Sequence, residues 1–232
     1  MEPARLQVVF GELTLMIKIL RLSVQLAGCM LLTAAAVCPA ADRILIDDFE
    51  NGMKPGWTKK VFQGETDYSV VETDQGQVLQ AQSNAAASGL VYEIEYAPAE
   101  YPILAWRWKI EKTIASGDER SKACDDYAAR IYVIFPHWFF PKTRSLNYIW
   151  ANHLPQNEIL PNAYTGNAMM LAASSGPANA GQWVEVRRNI VADYRRAFGE
   201  DPPQVGAIAI MTDTDNTGES ATAWYDDILI MQ

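Results

Sequence analysis

The stretch CDDYAARIYVIF, residues 124–135, places charged side chains inside a pattern that is typical of a buried strand. Side chains alternate between the two faces of a strand, so Asp126, Arg130 and Tyr132 share one face and apolar residues take the other. Because the apolar face must point into the core, we expect the charged face to lie outward. A guanidinium between a ring and a carboxylate is a rigid donor group for carboxylates or sugar hydroxyls. A cross-strand ion pair that covers the sheet is the alternative.

A second stretch, LNYIWAN at residues 146–152, follows the same alternation. It places Tyr148, Trp150 and Asn152 on one face of the predicted strand. Aromatic rings beside an amide are typical of grooves that bind sugars, because sugar C–H faces pack on rings while amides bond to hydroxyls. An ordinary half-buried strand has the same pattern. We predict that Trp150 and Asn152 extend the ligand-binding face of the first stretch.

The stretch IMTDTDNTGE, residues 210–219, is dense in side-chain oxygens, with Asp213 and Asp215 shortly before Gly218. This spacing matches the first half of a calcium loop, but no bidentate glutamate stands at the twelfth position, which excludes an EF-hand. The stretch is either a cation-binding loop or a solvated acidic turn. We place Asp213 and Asp215 at the rim of the ligand face. If the protein hydrolyses glycosides, Asp126 and Asp213 are the carboxylates that we nominate.

Acidic residues also stand near both ends of the predicted domain, in IDDFE at residues 46–50 and in YDDILI at residues 225–230. The terminal strands of a sandwich commonly pair, and such pairing would bring these carboxylates close together. Clustered carboxylates repel one another unless a cation or an arginine lies among them. A structural Ca²⁺ would suit this cluster, and an arginine is the alternative.

The stretch AWRWKIE, residues 105–111, places Trp106 and Trp108 on one face of a strand and charged side chains on the other. Exposed tryptophans at this spacing would form a platform for sugar rings. Because the opposite face carries the charges, we expect both tryptophans to point into the core.

These stretches belong to a chain in which, after residue 42, apolar residues recur mostly at every second position in short runs between turn residues. We predict about a dozen strands and one short helix at 191–198, ended by Gly199 and two prolines that cannot continue it. The fold class is therefore all-β, a two-sheet antiparallel β-sandwich of the jelly-roll kind. The long connection at 153–165 is predicted to form a rim over one end of the sandwich.

Residues 1–41 have the pattern of an export signal. The basic residues Lys18 and Arg21 precede an apolar run at 22–37, and small residues follow that run. We expect cleavage at the end of these small residues, after Ala40 or Ala41, and export to the periplasm or the medium.

Two alternatives concern the same segment. Met16 could be the true start, because the acidic residues before it do not suit a signal peptide. The residues at 26–29 resemble a lipoprotein signal, which would anchor the chain through Cys29. The apolar run before Cys29 is short for such a signal, so the lipoprotein remains the alternative to a periplasmic or secreted protein.

The remaining residues, 42–232, are enough for one substantial core, so we predict a single domain. The whole chain has a net charge of −9, and because residues 1–41 hold three basic and two acidic side chains, the remainder has −10. This charge repels phosphate backbones and argues against nucleic acid as a partner, whereas cations and neutral polar ligands stay open. Cys124 would be the single cysteine after cleavage, so the fold cannot depend on an internal disulfide.

A further motif, FPHWFFP at residues 135–141, is dense in aromatic side chains between two prolines. Exposed apolar clusters of this kind commonly contact a partner or a ligand. We predict an apolar loop here that contacts either a ligand or an envelope protein.

Several stretches together resemble a family of secreted bacterial proteins of unknown function (DUF3047), and the resemblance spans nearly all of residues 44–230. The stretches that carry it are DDFE, DDYAARIYVIF, NYIWAN, RRNIVADYRRAFGEDPP and IAIMTDTDNTGESATAWYDDI. The resemblance implies a β-sandwich related in shape to galactose-binding-like carbohydrate modules. It also implies a structural Ca²⁺, with Asp48, Glu50 and Asp227 at the positions that match the metal site of such modules.

Three functions follow as hypotheses from different classes. The first is a non-catalytic periplasmic protein that binds a glycan or a similar polar ligand on one sheet face. The second is a carbohydrate-active enzyme, a glycoside hydrolase or lyase, that uses acidic residues on the same face. The third is a structural or assembly factor of the envelope that makes its contact through residues 135–141.

Overall fold

The computed structural model of the protein describes residues 42–232. The predicted signal peptide at 1–41, with Met16 as its alternative start and Cys29 as its alternative anchor, lies outside the described residues. In the described part, no helix is both long and apolar enough to cross a membrane.

The period-two pattern forms strands almost throughout, because alternating apolar side chains bury one face of each strand. The strands of the described part are β1 (Arg43–Asp47), β2 (Trp57–Gln63), β3 (Asp67–Thr73), β4 (Gly76–Asn84), β5 (Ala87–Tyr96), β6 (Ile103–Ile110), β7 (Tyr127–Phe135), β8 (Arg144–Ala151), β9 (Ile159–Pro161), β10 (Ala168–Ser175), β11 (Val184–Asn189), β12 (Val205–Asp213) and β13 (Ser220–Met231). One α-helix, α1 (Ile190–Phe198), and two 3₁₀ turns, Lys122–Cys124 and Phe140–Lys142, complete the elements.

The strands form two sheets that face each other across one core. The six-stranded sheet has the order β11-β6-β13-β4-β3, and β1 pairs with the C-terminal half of β13, next to β4. The seven-stranded sheet has the order β2-β5-β12-β7-β8-β10-β9. The predicted two-sheet sandwich with one short helix is therefore confirmed.

One strand pair differs from the antiparallel prediction, because β10 runs parallel to β8. The chain leaves β8, forms the short strand β9 at the edge of the sheet, and turns back so that β10 fills the position between β8 and β9. The strand β9 runs opposite to β8, and β10 runs opposite to β9, so β10 has the same direction as β8. Local alternation indicates a strand but not its neighbours, so the sequence pattern did not predict this pairing.

The core between the sheets is dominated by aromatic rings. Trp106 and Trp108 of β6 are buried, which confirms their predicted orientation. The ring of Trp106 lies 5.3 Å from that of Tyr148, and the ring of Trp108 lies 5.8 Å from that of Trp150. These contacts join β6 of one sheet to β8 of the other, so each ring removes a large apolar area from water.

The helix α1 begins and ends where its sequence predicts. The side chain of Asn189 accepts a hydrogen bond from the N–H of Ala192 at 2.9 Å, and Gly199 takes a left-handed conformation at the C-terminus. The buried Asp193 accepts hydrogen bonds from the guanidinium of Arg188 and from the hydroxyl of Tyr148. The helix is thereby attached to β8 and β11 by charged and aromatic groups.

Candidate functional site

The charged residues of β7 lie on the outer face of the seven-stranded sheet. In β7, Ile131 and Val133 point into the core, whereas Arg130 and Tyr132 lie on the opposite face, as predicted. Met211 of β12 pairs with Arg130 and lies on the same outer face. This face therefore carries a polar patch in the middle of the sheet.

A cavity of about 490 Å³ lies over this patch. Residues from β2, β5, β7, β8, β10, β12 and the connections around them line it: Phe62, Ala87, Asp125, Arg130, Tyr132, Ser145, Asn147, Asn162, Tyr164, Ala168, Met211, Asp213, Asp215 and Asn216. Four residues of the predicted ligand set are among them, namely Arg130, Tyr132, Asp213 and Asp215. The structure thus brings together residues that are more than 80 positions apart in the sequence.

Two exposed aromatic rings form walls of the cavity. Phe62 of β2 is 64% exposed and Tyr164 is 56% exposed. Tyr164 is held in place because its N–H donates to Asn162 Oδ1 at 3.0 Å and its hydroxyl donates to the carbonyl of Lys122 at 2.8 Å. The predicted rim segment at 153–165 therefore supplies one wall. Sequence analysis did not select either ring, because Phe62 follows Val61 in a strand that also contains Trp57 and Tyr164 lies in a connection.

An ion pair forms part of the cavity floor. Arg130 Nη2 donates to Asp213 Oδ2, and both side chains are buried. The guanidinium lies 4.6 Å from the centroid of the Tyr127 ring and 5.7 Å from that of Tyr132. Burial by itself would lower the pKa of Arg130, but Tyr132 and the carboxylate of Asp125 raise the pKa overall. Arg130 is therefore a fixed positive charge at any pH at which the protein is folded.

Two buried polar atoms of the floor have no hydrogen-bond partner within the described residues. They are Nε of Arg130, a donor, and Oδ1 of Asn147, an acceptor, in side chains that are 5% and 3% exposed. Leaving such a group unpaired costs on the order of 1–3 kcal/mol, so buried polar groups are normally satisfied by protein, water or ligand. Both atoms belong to residues that line the cavity.

Three carboxylates lie close together here, and one of them belongs to the ion pair. Asp126, Asp213 and Asp215 each place one oxygen within 4.8 Å of the others. The oxygens of Asp126 accept the backbone N–H groups of Asn216, at 3.2 Å, and Thr217, at 2.6 Å, which fixes the turn after β12. Burial and the charge of Asp126 together raise the pKa of Asp215. Asp126 itself is fully buried, so it lies behind the cavity rather than on its surface, which corrects its predicted exposure.

The structure also corrects the predicted positions of Trp150 and Asn152. Trp150 lies in the core, with its indole N–H donating to the carbonyl of Gly176 at 3.0 Å. Asn152 is buried beyond the end of β8, where its amide bonds to the N–H of Ile114 and the carbonyl of Asp126. The alternation in β8 was predicted correctly, but the outward face is the one that carries Asn147.

The carboxylates at the two ends do not meet as one calcium cage. The strands β1 and β13 pair as expected, but Asp227 forms an ion pair with Arg107 at 3.0 Å. The carboxylate of exposed Glu50 accepts the N–H of Gln77 at 3.4 Å. Among residues 42–232, no acidic cluster of three or more contains Asp48, Glu50 or Asp227. These residues therefore do not fit the implied metal site, and Ca²⁺ binding by the protein remains a prediction.

An arginine, rather than a cation, balances the two carboxylates of β13. Arg107 of β6 contacts Asp226 as well as Asp227, so the guanidinium balances the acidic end of β13. Asp226 is almost wholly buried, and this burial raises its pKa to about 6 although Arg107 opposes the shift. The alternative stated for this cluster, an arginine among the carboxylates, is the arrangement that the structure shows.

The aromatic motif between β7 and β8 is exposed. Trp138 is 92% exposed and Phe140 is 83% exposed. The 3₁₀ turn Phe140–Lys142 gives this loop its shape, and Asn167 Nδ2 donates to the carbonyl of Pro141 at 2.8 Å. The loop thus presents apolar rings to solvent at one end of the seven-stranded sheet.

The fold and the cavity define a class of protein, a β-sandwich with a polar, aromatic-walled cavity on the outer face of one sheet. The chain belongs to the family described as Protein of unknown function (DUF3047), whose profile matches residues 55–229. This match confirms the resemblance that the motifs indicated. A comparison with curated proteins finds no match.

The solved structures that are similar to this chain include three carbohydrate-binding modules. The family 11 module of the cellulosomal cellulase Lic26A-Cel5E of Clostridium thermocellum is 11% identical, with a TM-score of 0.47 over 83% of this chain and 95% of that chain. The family 30 module of the cellulosomal cellulase Cel9D-Cel44B of the same organism is 11% identical, with a TM-score of 0.46 over 76% and 91%. A module specific for non-crystalline cellulose, CBM28, is 16% identical, with a TM-score of 0.43 over 82% and 94%.

Proposed function

We propose that this protein binds a glycan or a similar polar ligand, without transforming it, in the cavity on the outer face of the seven-stranded sheet. The observation that carries the proposal is the combination of two exposed rings, Phe62 and Tyr164, with a floor whose buried atoms Arg130 Nε and Asn147 Oδ1 have no partner in the described part. The proposal includes export, so that the binding protein works in the periplasm or outside the cell.

The chemistry of the lining suits a sugar. The C–H face of a pyranose packs against an aromatic ring, and Phe62 and Tyr164 offer such rings at the cavity walls. Its hydroxyls need both donors and acceptors, which Asn147 and Asn162 provide as amides and Asp213 as a carboxylate. A flat apolar molecule would leave these polar groups without partners, at a cost in free energy.

The experiment is a calorimetric titration of the purified protein with a panel of soluble oligosaccharides. Tyr164→Ala and Phe62→Ala should each weaken the binding of a sugar that binds the wild type by about tenfold, equivalent to about 1.4 kcal/mol. Phe140→Ala removes a still more exposed ring outside the cavity and should leave affinity unchanged. If no sugar binds, or if the three variants weaken binding equally, the proposal is wrong.

A second candidate, hydrolysis of a glycan at the same site, is favoured by the raised pKa of Asp215 beside the ion-paired Asp213. A carboxyl with a raised pKa near an ionised one is the kind of pair that glycoside hydrolysis uses. Because Asp126 is buried, Asp215 takes its place as the candidate acid. Turnover that Asp215→Asn abolishes while binding persists would establish this activity, and binding without turnover would exclude it for the sugars tested.

A third candidate, contact with an envelope protein, is favoured by the exposure of Trp138 and Phe140. A photo-crosslinking residue at position 138 should then capture one defined envelope protein in cells, and Phe140→Ser should reduce that capture. Equal capture from position 93, where Glu93 is exposed on β5, would contradict this candidate.

Export has a direct test at the N-terminus. Mass spectrometry of the protein recovered from cells should find a chain that begins after Ala40 or Ala41. A chain that begins at a lipid-modified Cys29 would instead support the lipoprotein alternative. A chain that retains residues 16–41 would contradict both.

A further inference from the structure

We infer that the ligand carries a positively charged amino group, as in a sugar with a free amine, and that this group binds between Asp213 and Asp215. The inference rests on the proposed function and names the class of ligand for the same cavity. It follows from the balance of charges in the lining, from the partners that each charge already has, and from a buried acceptor that still lacks one.

The lining of the cavity has an excess of negative charge. It contains three carboxylates, those of Asp125, Asp213 and Asp215, and the single guanidinium of Arg130. That guanidinium is already paired with Asp213. The fully buried Asp126 adds a further carboxylate directly behind the lining. The field in the cavity therefore attracts cations and repels anions.

Two of these carboxylates have partners inside the protein. Asp125 accepts the hydroxyl of Tyr127 at 2.9 Å and the amide of Asn162 at 2.9 Å. Asp126 accepts two backbone N–H groups from the turn after β12. Their charges are thus stabilised by donors that stay in place whether or not a ligand is bound.

Asp215 has only its own backbone N–H as such a partner. None of the ion pairs in the described part of the chain involves it. Its oxygen lies within 4.8 Å of oxygens of Asp126 and Asp213, and burial and Asp126 raise its pKa although Arg130 opposes the shift. A cation that entered here would remove this repulsion, which is a gain that a neutral hydroxyl cannot supply.

An amine suits this space better than the other cations or an anion. An ammonium group has three donors and a single charge, which matches a small group of carboxylates that an arginine already partly neutralises. The guanidinium of Arg130 would repel a divalent cation about twice as strongly as it repels a singly charged ammonium. A uronate or a phosphate would meet Asp125 and Asp215 with its own negative charge.

The unpartnered Oδ1 of Asn147 is an independent observation that points to a donor on the ligand. Asn147 is 3% exposed, lies on β8 rather than on the acidic turn, and lines the same cavity. The acceptor of Asn147 on β8 and the carboxylates at the end of β12 suit a ligand that is rich in N–H and O–H donors. An amino sugar has this property, because its ammonium group accepts no hydrogen bonds.

The experiment compares three soluble trisaccharides by calorimetric titration of the full chain at pH 6: a β-1,4-linked glucosamine trimer, its N-acetylated form and cellotriose. We expect the free amine to bind at least about tenfold more tightly than the other two. Asp215→Asn should remove most of this preference, and Glu185→Gln, which removes one charge from an exposed residue of the other sheet, should keep it. Raising the salt concentration should reduce the preference, since the attraction is electrostatic.

The outcomes separate the inference from the proposed function. Equal binding of the amine and the N-acetylated trimer would overturn the inference and leave glycan binding intact, as would binding that requires Ca²⁺ and is lost with a chelator. Failure of these and all other sugars would overturn the proposed function itself. Asp215→Ser serves as a second variant if Asp215→Asn does not fold, and it should remove the preference in the same way.

Discussion

Arg130 and Asp213 form a buried ion pair at the floor of the cavity, so a change at either residue affects the stability of the fold as well as the proposed binding site. Taking two charges out of water is costly, and the cost is recovered only while both partners are present. The guanidinium of Arg130 also lies near the rings of Tyr127 and Tyr132, whose faces attract a cation. Loss of ligand binding after a change at Arg130 would therefore not by itself assign the residue to the ligand.

The ion pair makes a prediction for stability. Arg130→Met should lower the free energy of unfolding by about 3 kcal/mol, because Asp213 is left as a buried charge without its partner. The double variant Arg130→Met/Asp213→Asn should recover part of that loss, since the orphaned charge is removed. Urea unfolding of the wild type, both single variants and the double variant measures the coupling. Strictly additive losses would show that the pair does not interact.

At the scale of elements, β13 joins the two ends of the described chain to the middle of its sheet. It pairs with β6 along one side and with β4 and then β1 along the other. The register with β6 shifts between Asp226 and Leu229, where Asp227 adopts a left-handed conformation at a φ of 49°. Aspartate tolerates this conformation better than most residues. The irregularity directs both Asp226 and Asp227 toward Arg107.

The raised pKa of Asp226 predicts a pH-dependent stability. The pKa is about 6 in the folded protein against 3.8 for an ordinary carboxyl, so the folded state favours the protonated form. This contribution is fully present below pH 3.8 and is lost as the pH rises through about 6. At about 1.4 kcal/mol per pKa unit, the loss amounts to roughly 3 kcal/mol.

Asp226→Asn should remove this component of the pH profile. Unfolding free energies measured in urea between pH 4 and 7 should fall with pH in the wild type relative to the variant. Glu93→Gln, at an exposed position of β5, should keep the wild-type profile. Parallel profiles for the wild type and Asp226→Asn would show that the pKa of Asp226 is not raised.

At the scale of the whole molecule, the inner faces of the two sheets pack together in the core and the outer face of the seven-stranded sheet carries the cavity. The six-stranded sheet and the core rings pack against the inner face of the seven-stranded sheet. The polar groups on its outer face are therefore attached to a packed support. The acidic net charge agrees with the sign of the cavity, because both favour neutral or cationic ligands over anions.

Ligand binding should raise the thermal stability of the whole protein, because a ligand that binds only the folded state shifts the unfolding equilibrium. At a concentration one hundred times the Kd the gain is about 2.7 kcal/mol. For a protein of this size, this corresponds to a rise in Tm of about 5–10 °C. A thermal-shift assay with the glucosamine trimer measures it. Tyr164→Ala should have a near-normal Tm without ligand and a smaller rise with it, and an equal rise would place the ligand elsewhere.

Much of the architecture could be predicted from local sequence. The alternation in β6 predicted that Trp106 and Trp108 point into the core, and the alternation in β7 predicted that Arg130 and Tyr132 point outward. The helix and its glycine end were also predicted. These features depend on the two-residue period of a strand and on capping, which act between neighbours in the sequence.

The tertiary structure alone decided how these elements combine into a site. In β8 the sequence determined which side chains share a face, but packing against Trp108 turned Trp150 inward and left Asn147 on the cavity floor. Phe62 and Tyr164 lie on separate elements and become the walls of one cavity only through sheet pairing. Alternation carries no information about which strands are neighbours, because pairing depends on contacts between residues far apart in the sequence. The sequence therefore determined the strands and which charged side chains point outward. The pairing of the strands in the folded sheet decided which residues those side chains contact.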